Sequence, residues 1–278
     1  MKITYQLFCK CLPSAVLPDE DLFNNLTDFI DQAESYVNNL TNGLLDLNFD
    51  YSEDPTTAYA RATAWAIRLI CARAYSHAIP HIDLVLTSTG FGVVSNANVA
   101  PASAERVNRL LDSLIRSEIH AYYRLIDAMR GVANWSDSIQ AKTVFATSII
   151  WNPDIWELLG GEKLPDVKDP IQANKRAIRE AESAVQQLIS PNFYNEIVEA
   201  VRHASQDELM NALIYYVQSL VMAMVKKDHS VENLKGSLLT FLEDHIEDYP
   251  TYANSTAYKA NHFKPYENKQ GDSCYYFG

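Results

Sequence analysis

The sequence predicts a mainly α fold: a multi-helix bundle with one β-hairpin inserted in its N-terminal half. Three observations predict it. Apolar residues recur at three- and four-residue steps along most of the 278 residues, which is the spacing of amphipathic helices. Only 9 residues are glycine and 11 proline, while 47% are hydrophobic, so an ordered core is expected. One stretch, His81–Pro101, departs from the pattern because β-branched and apolar residues flank a glycine pair there.

The beginning of the chain is expected to consist of an arm and two helices. Residues 1–18 are predicted to form an extended arm, because apolar and polar residues alternate there before two prolines. A helical domain is predicted over 19–164, and three acidic residues at its start favour a helix N-terminus. Its first helices are expected from about Leu22 to Leu40 and from Thr56 to Ala78. The second is apolar around much of its circumference, which favours a central position.

The hairpin is predicted over 82–96. Its strands are expected at Ile82–Leu86 and Phe91–Val94, joined across Thr87–Gly90, where glycine supplies the positive φ of a tight turn. Pro80 is expected to end the preceding helix. A two-stranded hairpin is marginally stable alone in water, so we expect it to lean on the helices or to pair with another chain. The candidate interaction residues at its tip are Thr89, Gly90, Phe91 and Gly92.

Helices are expected through most of the remaining chain. A long one is predicted from Ser103 to Met129, and shorter pieces over 139–149 and 153–159. Glycine and proline then mark a connection to a second helical region over 165–248. Its helices are expected over 171–189, 191–203, 207–227 and 231–248. The order helix, apolar helix, capped helix occurs in both halves, which suggests two related halves, although similar caps also arise by chance.

Residues 249–278 are predicted to form an irregular C-terminal tail. A dangling segment with several aromatic side chains would expose a large apolar area. We therefore expect the tail to add a strand or to fill a groove, in its own subunit or in a neighbour. Its candidate interaction residues are Tyr275, Tyr276 and Phe277.

Charge and composition argue against several classes of partner. The chain has 35 acidic and 23 basic side chains, a formal net charge of -12, which disfavours a sequence-independent grip on nucleic-acid phosphates. Sequence-specific nucleic-acid binding is not expected either. No run approaches the roughly 18 to 20 apolar residues of a membrane span, so no membrane partner is expected. The first ten residues are too polar for a signal sequence, which predicts a cytoplasmic protein.

No motif in the sequence predicts catalysis, a cofactor or a metal site. Cys9 and Cys11 form a C-x-C pair without the second ligand pair of a structural zinc site. His77 and His81 are four residues apart, but Pro80 lies between them and no zinc-protease pattern follows. Thr89-Gly-Phe-Gly-Val resembles a phosphate loop without its defining residues. Packing, surface charge and hairpin geometry explain these residues more simply, so an enzyme is not expected.

Two stretches resemble a known family. Residues 82–107 read Ile-Asp-Leu-Val-Leu-Thr-Ser-Thr-Gly-Phe-Gly-Val-Val-Ser-Asn-Ala-Asn-Val-Ala-Pro-Ala-Ser-Ala-Glu-Arg-Val, and 266–278 read Tyr-Glu-Asn-Lys-Gln-Gly-Asp-Ser-Cys-Tyr-Tyr-Phe-Gly. Both resemble uncharacterised structural proteins of tailed phages and prophages of gut bacteria. The resemblance implies a virion component near the portal, such as a head-tail connector. It implies contacts with other copies and with portal, neck or tail proteins, after synthesis in the cytoplasm of the bacterial host.

Two functional classes therefore stay open on the sequence. The first is a virion structural protein whose hairpin and tail meet different patches on a neighbouring copy, as a ring requires. An acidic surface would suit a channel through which DNA slides. The second is a helical binding module, or an enzyme with an unrecognised site. A deep polar pocket with converging titratable groups would favour the second class.

Overall fold

The fold is all-α across the residues that the structure, a computed structural model, describes. These are 3–12, 23–47, 56–82, 85–87, 90–92, 103–146, 148–162 and 167–262. The helices of the first half are α1 (Tyr5–Cys11), α2 (Thr27–Leu40), α3 (Ala58–Ile82), α4 (Ala104–Met129), α5 (Ile139–Phe145) and α6 (Pro153–Leu158). Those of the second half are α7 (Pro170–Ala173), α8 (Lys175–Ile189), α9 (Pro191–Arg202), α10 (Glu208–Lys226), α11 (Val231–Asp244), α12 (Pro250–Ala253) and α13 (Thr256–Asn261).

The two longest helices, α3 and α4, pack on each other and form the centre of the first half. Helices α1 and α2 also pack on α3. The sequence of α3 explains this position, because small residues such as Ala62, Ala66 and Ala74 let neighbouring helices approach while Ile67 and Ile70 fill the space between them. The predicted central position of this helix is therefore confirmed.

Helix α10 has the corresponding place in the second half, where it packs against α8, α9 and α11. With 19 residues and a mean hydropathy of 1.3, it has the length and composition of a membrane span. The expectation that no segment reaches this limit is therefore wrong. Leu213, Val217 and Leu220 are fully buried against other helices. Burial in the protein core accounts for part of the apolar character of α10, because 44% of its apolar window is buried.

Side chains join the two halves through backbone groups. The Arg130 guanidinium, just after α4, donates from Nε to the carbonyl oxygen of Val201 in α9 at 2.8 Å. The Ser136 hydroxyl donates to the carbonyl oxygen of Arg202 at 2.9 Å. One contiguous hydrophobic core runs through both halves. The proposed domain boundary near residue 165 stays a prediction.

The predicted β-hairpin over 82–96 is wrong as an element of the fold. Helix α3 continues through Pro80 to Ile82, so the first strand does not begin there. The described residues that follow contain one antiparallel pairing of three residues, Val85–Thr87 (β1) with Gly90–Gly92 (β2). The helix can include Pro80 because a proline in the last turn removes only one helical hydrogen bond. Ile79 in the same turn is buried, and this packing stabilises the end of the helix. The fold class over the described residues is therefore all-α, and this pairing of three residues with three is much shorter than the predicted hairpin over 82–96.

The predicted extended arm is also wrong over the described residues 3–12. Residues Tyr5–Cys11 form α1, and the Thr4 hydroxyl caps this helix by accepting from the Leu7 backbone N–H at 3.3 Å. Phe8 is fully buried and packs edge-on against Phe23 and Tyr75. Three alternating apolar residues are too few to distinguish a strand from one face of a helix, so packing decides the conformation.

The C-terminal tail is helical where it is described, over 249–262. Helices α12 and α13 occupy most of this stretch, so the prediction of an irregular segment is wrong there. Tyr252 is fully buried, with its ring centroid 5.5 Å from that of Phe193 in α9. This segment therefore docks on its own subunit. Residues 263–278 lie outside the described part of the chain.

The other helices lie close to their predicted positions. The helix expected from Ser103 to Met129 is confirmed as α4, with Ser103 at its N-cap. The helix predicted over 231–248 is α11, which ends four residues earlier than expected, at Asp244. The predicted helix over 171–189 is interrupted at Asn174, which separates α7 from α8. Boundaries depend on such local capping, which hydrophobic spacing does not report.

Candidate functional site

Three of the seven predicted interaction residues are described. Gly90, Phe91 and Gly92 form β2, and Phe91 lies opposite Leu86 in the antiparallel pairing. This short pairing lies in the connection between α3 and α4. Four residues lie outside the described part: Thr89, Tyr275, Tyr276 and Phe277.

A pocket of about 540 Å³ opens where the end of α1 meets α3 and α4. The helical period explains how its lining is built. Positions three, four or seven apart on a helix share one face, and the pocket draws such sets from α3 and α4. The lining comprises Lys10, Cys11 and Leu12 from the first segment, Trp65, Arg68 and Ala72 from α3, and Ser113, Arg116, Ser117, His120 and Ala121 from α4.

The lining of this pocket is cationic. Lys10, Arg68 and Arg116 come from three different helices, and no carboxylate lines the pocket among the residues the structure describes. The Arg68 guanidinium carbon lies 4.7 Å from the centroid of the Trp65 ring, which contacts His120 edge-on at 5.2 Å. Burial is the main cause that lowers the pKa of His120, and the charges of Arg124 and Arg68 lower it further. The imidazole is therefore neutral at pH 7.

Sequence reasoning missed this pocket. One feature of the sequence could have indicated it. Ser113, Arg116, Ser117 and His120 are spaced so that they lie on one face of the predicted α4. This face borders the apolar stripe of the helix. The contribution of Lys10 depended on α1 being helical, and the sequence analysis expected an extended arm there. The pocket brings titratable side chains together, as the second functional class requires, although more of its lining surface is apolar than polar.

Cys11, which lines the pocket, has a second thiol beside it. The Cys11 side chain hydrogen-bonds with that of Cys71, and this contact is the main cause that lowers the Cys11 pKa. Burial raises this pKa, whereas the charge of Arg68 lowers it further. Burial raises the pKa of the Cys71 thiol. Cys11 thus contacts Cys71 in α3. No group of three or more His, Cys, Asp or Glu side chains in the described ranges is placed to hold a metal ion.

A buried carboxyl group lies in the second half. Glu182 of α8 is 6% exposed and accepts the backbone N–H of Ile149 at 2.5 Å. The Gln218 side chain of α10 donates to the carbonyl oxygen of Ile149 at 3.0 Å. Burial raises the Glu182 pKa to about 7, against hydrogen bonds that favour its charged form. The two side chains together hold both backbone groups of Ile149, which indicates a structural role.

A second, smaller pocket is lined by tyrosines whose polar groups serve the fold. Its volume is about 260 Å³. The Tyr123 hydroxyl donates to the carboxylate of Asp169 at 3.0 Å, and this carboxylate also caps α7 by accepting from Ile171 and Gln172. Burial is the main cause that raises the pKa of Tyr123. Glu118 in the same pocket pairs with Arg73 at 2.6 Å.

Three large apolar side chains in the described part are more than half exposed. Ile139, the first residue of α5, is 78% exposed, and Leu158, the last residue of α6, is 76% exposed. Tyr215 in α10 is 55% exposed. Most other large apolar side chains in these ranges are buried or half-buried. The two aliphatic residues belong to the tract between α4 and α7.

Comparison with known proteins gives one match. The sequence profile described as Family of unknown function (DUF6712) matches residues 16–143 and 226–262. These two ranges hold more than half of the chain, including the α3 and α4 sides of the cationic pocket. Neither the curated proteins nor the solved structures contain a match.

Proposed function

The chain belongs to the DUF6712 family, a family of unknown function, and we propose that it is a structural protein of a phage or prophage virion. It acts as a head-tail connector subunit through ring-forming contacts with other copies and with portal, neck or tail proteins. The resemblance of residues 82–107 and 266–278 supports the virion assignment. A surface on the described helices supports action through protein contacts.

The observation that carries the proposal is the exposure of Ile139 and Leu158. Burying such an aliphatic side chain in an interface is worth about 1.5 to 3 kcal/mol. An acidic protein keeps two nearly uncovered aliphatic side chains at some cost in solubility, and subunit contact would remove them from water. We assign these two side chains to a subunit interface.

The short helices that carry these side chains are held firmly in place. The indole N–H of Trp135 donates to the carbonyl oxygen of Leu40 at 3.0 Å, and Trp135 is fully buried. The Ser138 hydroxyl caps α5 by accepting from the Ala141 backbone N–H at 3.1 Å. The Phe145 ring packs edge-on against Trp151, with centroids 5.4 Å apart. A fixed platform loses little entropy on binding, which favours association.

A ring requires heterologous contacts, in which one patch meets a different patch on the next copy. In this proposal the exposed side chains of Ile139 and Leu158 each belong to a surface that meets a neighbouring copy. The alternative class, a helical binding module or enzyme, is favoured by a different observation, the cationic pocket. A site for a small ligand is compatible with a role in assembly.

The mass of the particle in solution, measured by light scattering after size exclusion, tests the proposal. We expect a closed oligomer for the wild-type chain. The double variant Ile139→Ser/Leu158→Ser should dissociate it, whereas Lys142→Ser, an exposed position in α5, should not. A wild-type chain that stays monomeric, alone and with portal and neighbouring neck proteins, would refute the assembly role. Unchanged assembly of the double variant would refute the assigned surface.

The genes beside the coding sequence provide an independent test of the virion assignment. Portal, terminase and capsid genes should be its neighbours. A neighbourhood of metabolic genes alone would contradict this part of the proposal while leaving self-association to be judged by the mass measurement.

A further inference from the structure

We propose that Cys11 and Cys71 form a reversible disulfide when hydrogen peroxide reaches the protein. The proposal does not depend on the assembly role. It starts from a side-chain contact, because the Cys11 thiol at the end of α1 hydrogen-bonds with the Cys71 thiol in the middle of α3. Helix α1 packs on α3, so the contact joins two helices that are neighbours in the fold. The two sulfur atoms therefore need only a small approach to reach the bonding distance of about 2.0 Å.

The two thiols differ in exposure in the way that a reaction with peroxide requires. Cys11 is half-buried and lines the pocket of about 540 Å³, so a small oxidant can reach its sulfur from solvent. Cys71 is fully buried in the core. The peroxide therefore meets Cys11 first, and Cys71 is the second thiol, which the product of that first reaction already contacts.

The ionisation of the two thiols favours the same order. The hydrogen bond with Cys71 is the main cause that lowers the pKa of Cys11; burial opposes this shift, and the charge of Arg68 adds to it. Burial is the main cause that raises the pKa of Cys71, and the charge of Glu34 raises it further. The thiolate, not the thiol, is the nucleophile. Cys11 is therefore the attacking sulfur, and Cys71 keeps its proton until the second step.

The reaction needs two steps. Cys11 Sγ, as the thiolate, attacks one oxygen of the peroxide, the O–O bond breaks, and the released hydroxide leaves as water with the proton that Cys11 had lost. Cys11 is then a sulfenic acid. Cys71 Sγ attacks this sulfur, the S–O bond breaks, and the hydroxyl group leaves as water with the Cys71 proton. Each sulfur gives up one electron, and the peroxide takes both.

The disulfide would fasten the first helix of the chain to the central helix of its half. It would close a loop of about 60 residues, and a cross-link over such a loop constrains the unfolded chain. Cys9 is a poor competitor, because residues two apart on a helix point to different sides. Thiols are kept reduced in a cytoplasm, whereas oxidising surroundings favour the bond. The pair would thus lock α1 onto α3 only after a change of redox setting.

Peptide mapping by mass spectrometry without reduction, on the purified full chain, tests the proposal. After treatment with hydrogen peroxide, wild type should yield a cross-linked pair of peptides that contains Cys11 and Cys71 and is lighter by two hydrogen atoms than the separate peptides. Dithiothreitol should restore both thiols. Cys9→Ser is the matched control, since Cys9 is another half-buried thiol of α1, and this variant should form the same cross-link.

Two further variants separate the two steps. In Cys71→Ala the reaction should stop at the sulfenic acid of Cys11, which dimedone labels. Cys11→Ala should form no cross-link, and its Cys71 should stay unlabelled in the folded protein, as judged by circular dichroism. The wild-type map decides even where a variant folds poorly. A cross-link from Cys11 to any other cysteine, or oxidation of Cys11 that dithiothreitol does not reverse and that leaves Cys71 a thiol, would overturn the proposal. So would a Cys11 that stays unmodified.

Discussion

The backbone N–H of Ile149 donates to the buried carboxylate of Glu182 at 2.5 Å, although these residues are 33 positions apart in the chain. Ile149 lies in the loop before α6, and Glu182 lies in α8. The bond thus ties the tract of short helices to the second half. It also retains an ionisable group inside the core, which makes stability depend on pH.

Replacement of this carboxyl by Glu182→Gln should flatten that pH dependence. Burial raises the folded-state pKa to about 7 from an ordinary value of 4.5, so the folded state binds more protons than the unfolded state between these pH values. Stability should therefore fall as pH rises through this window, by up to about 3 kcal/mol. Glutamine keeps an acceptor for Ile149 and carries no charge. Urea unfolding from pH 4.5 to 8 checks this, and equal slopes for both proteins would contradict it.

The bond between Arg130 and Val201 should contribute to docking of the two halves. Arg130→Met removes a donor 2.8 Å from the Val201 oxygen and a guanidinium stacked 5.0 Å from the Trp151 ring centroid. We expect a loss of about 1 to 3 kcal/mol in the free energy of unfolding. Asp127→Asn breaks only a half-exposed ion pair with the same arginine and should cost about 0.5 kcal/mol or less. Equal losses in chemical denaturation would refute the role of the Val201 contact.

Two glycines should respond to alanine with opposite signs. Gly236 lies inside α11 with nothing near the position of an added methyl group, so Gly236→Ala should stabilise by about 0.5 to 1 kcal/mol. At Gly161 the added methyl group would fall on the indole ring of Trp156. Gly161→Ala should therefore destabilise the protein. Thermal melts of both variants check the signs, and stabilisation by Gly161→Ala would show that the indole moves aside freely.

The two thiols that contact each other between α1 and α3 should differ in reactivity. Cys11 is half-buried with a lowered pKa, whereas Cys71 is fully buried with a raised pKa. Alkylation follows the exposed thiolate, so iodoacetamide should modify Cys11 in the native protein and Cys71 only after unfolding. Peptide mass spectrometry distinguishes the two sites. Rapid native labelling of Cys71 would contradict the packing of α1 on α3.

Hydrophobic spacing predicted most of the long helices, because their apolar faces are needed to build the core. It located α4 almost to the residue and identified α3 as central. The errors occurred where a few residues satisfy more than one pattern. The spacing of Ile3, Tyr5 and Leu7 fits a strand as well as a short helix. The segment forms the helix α1 because Thr4 caps its N-terminus and Phe8 is buried in the core.

Contacts between distant residues were beyond sequence reasoning. The cationic pocket depends on α1 lying against α3 and α4, so the approach of Lys10 to Arg116 could not be read from spacing. Likewise, Glu182 has the sequence context of a solvated helix residue, and only the packing of α8 shows its burial. The exposure of Ile139 and Leu158 is a property of the assembled surface. The virion assignment came from resemblance, and the exposed pair added a physical basis for association.

Analytical ultracentrifugation of the wild-type chain tests the central claim most directly. Sedimentation velocity over about a hundredfold range of protein concentration, alone and with portal and neck proteins, should reveal one discrete oligomer whose population grows with concentration. This result would agree with a subunit that acts by joining copies of itself. Sedimentation as a single chain at every concentration and with every such partner would contradict the account.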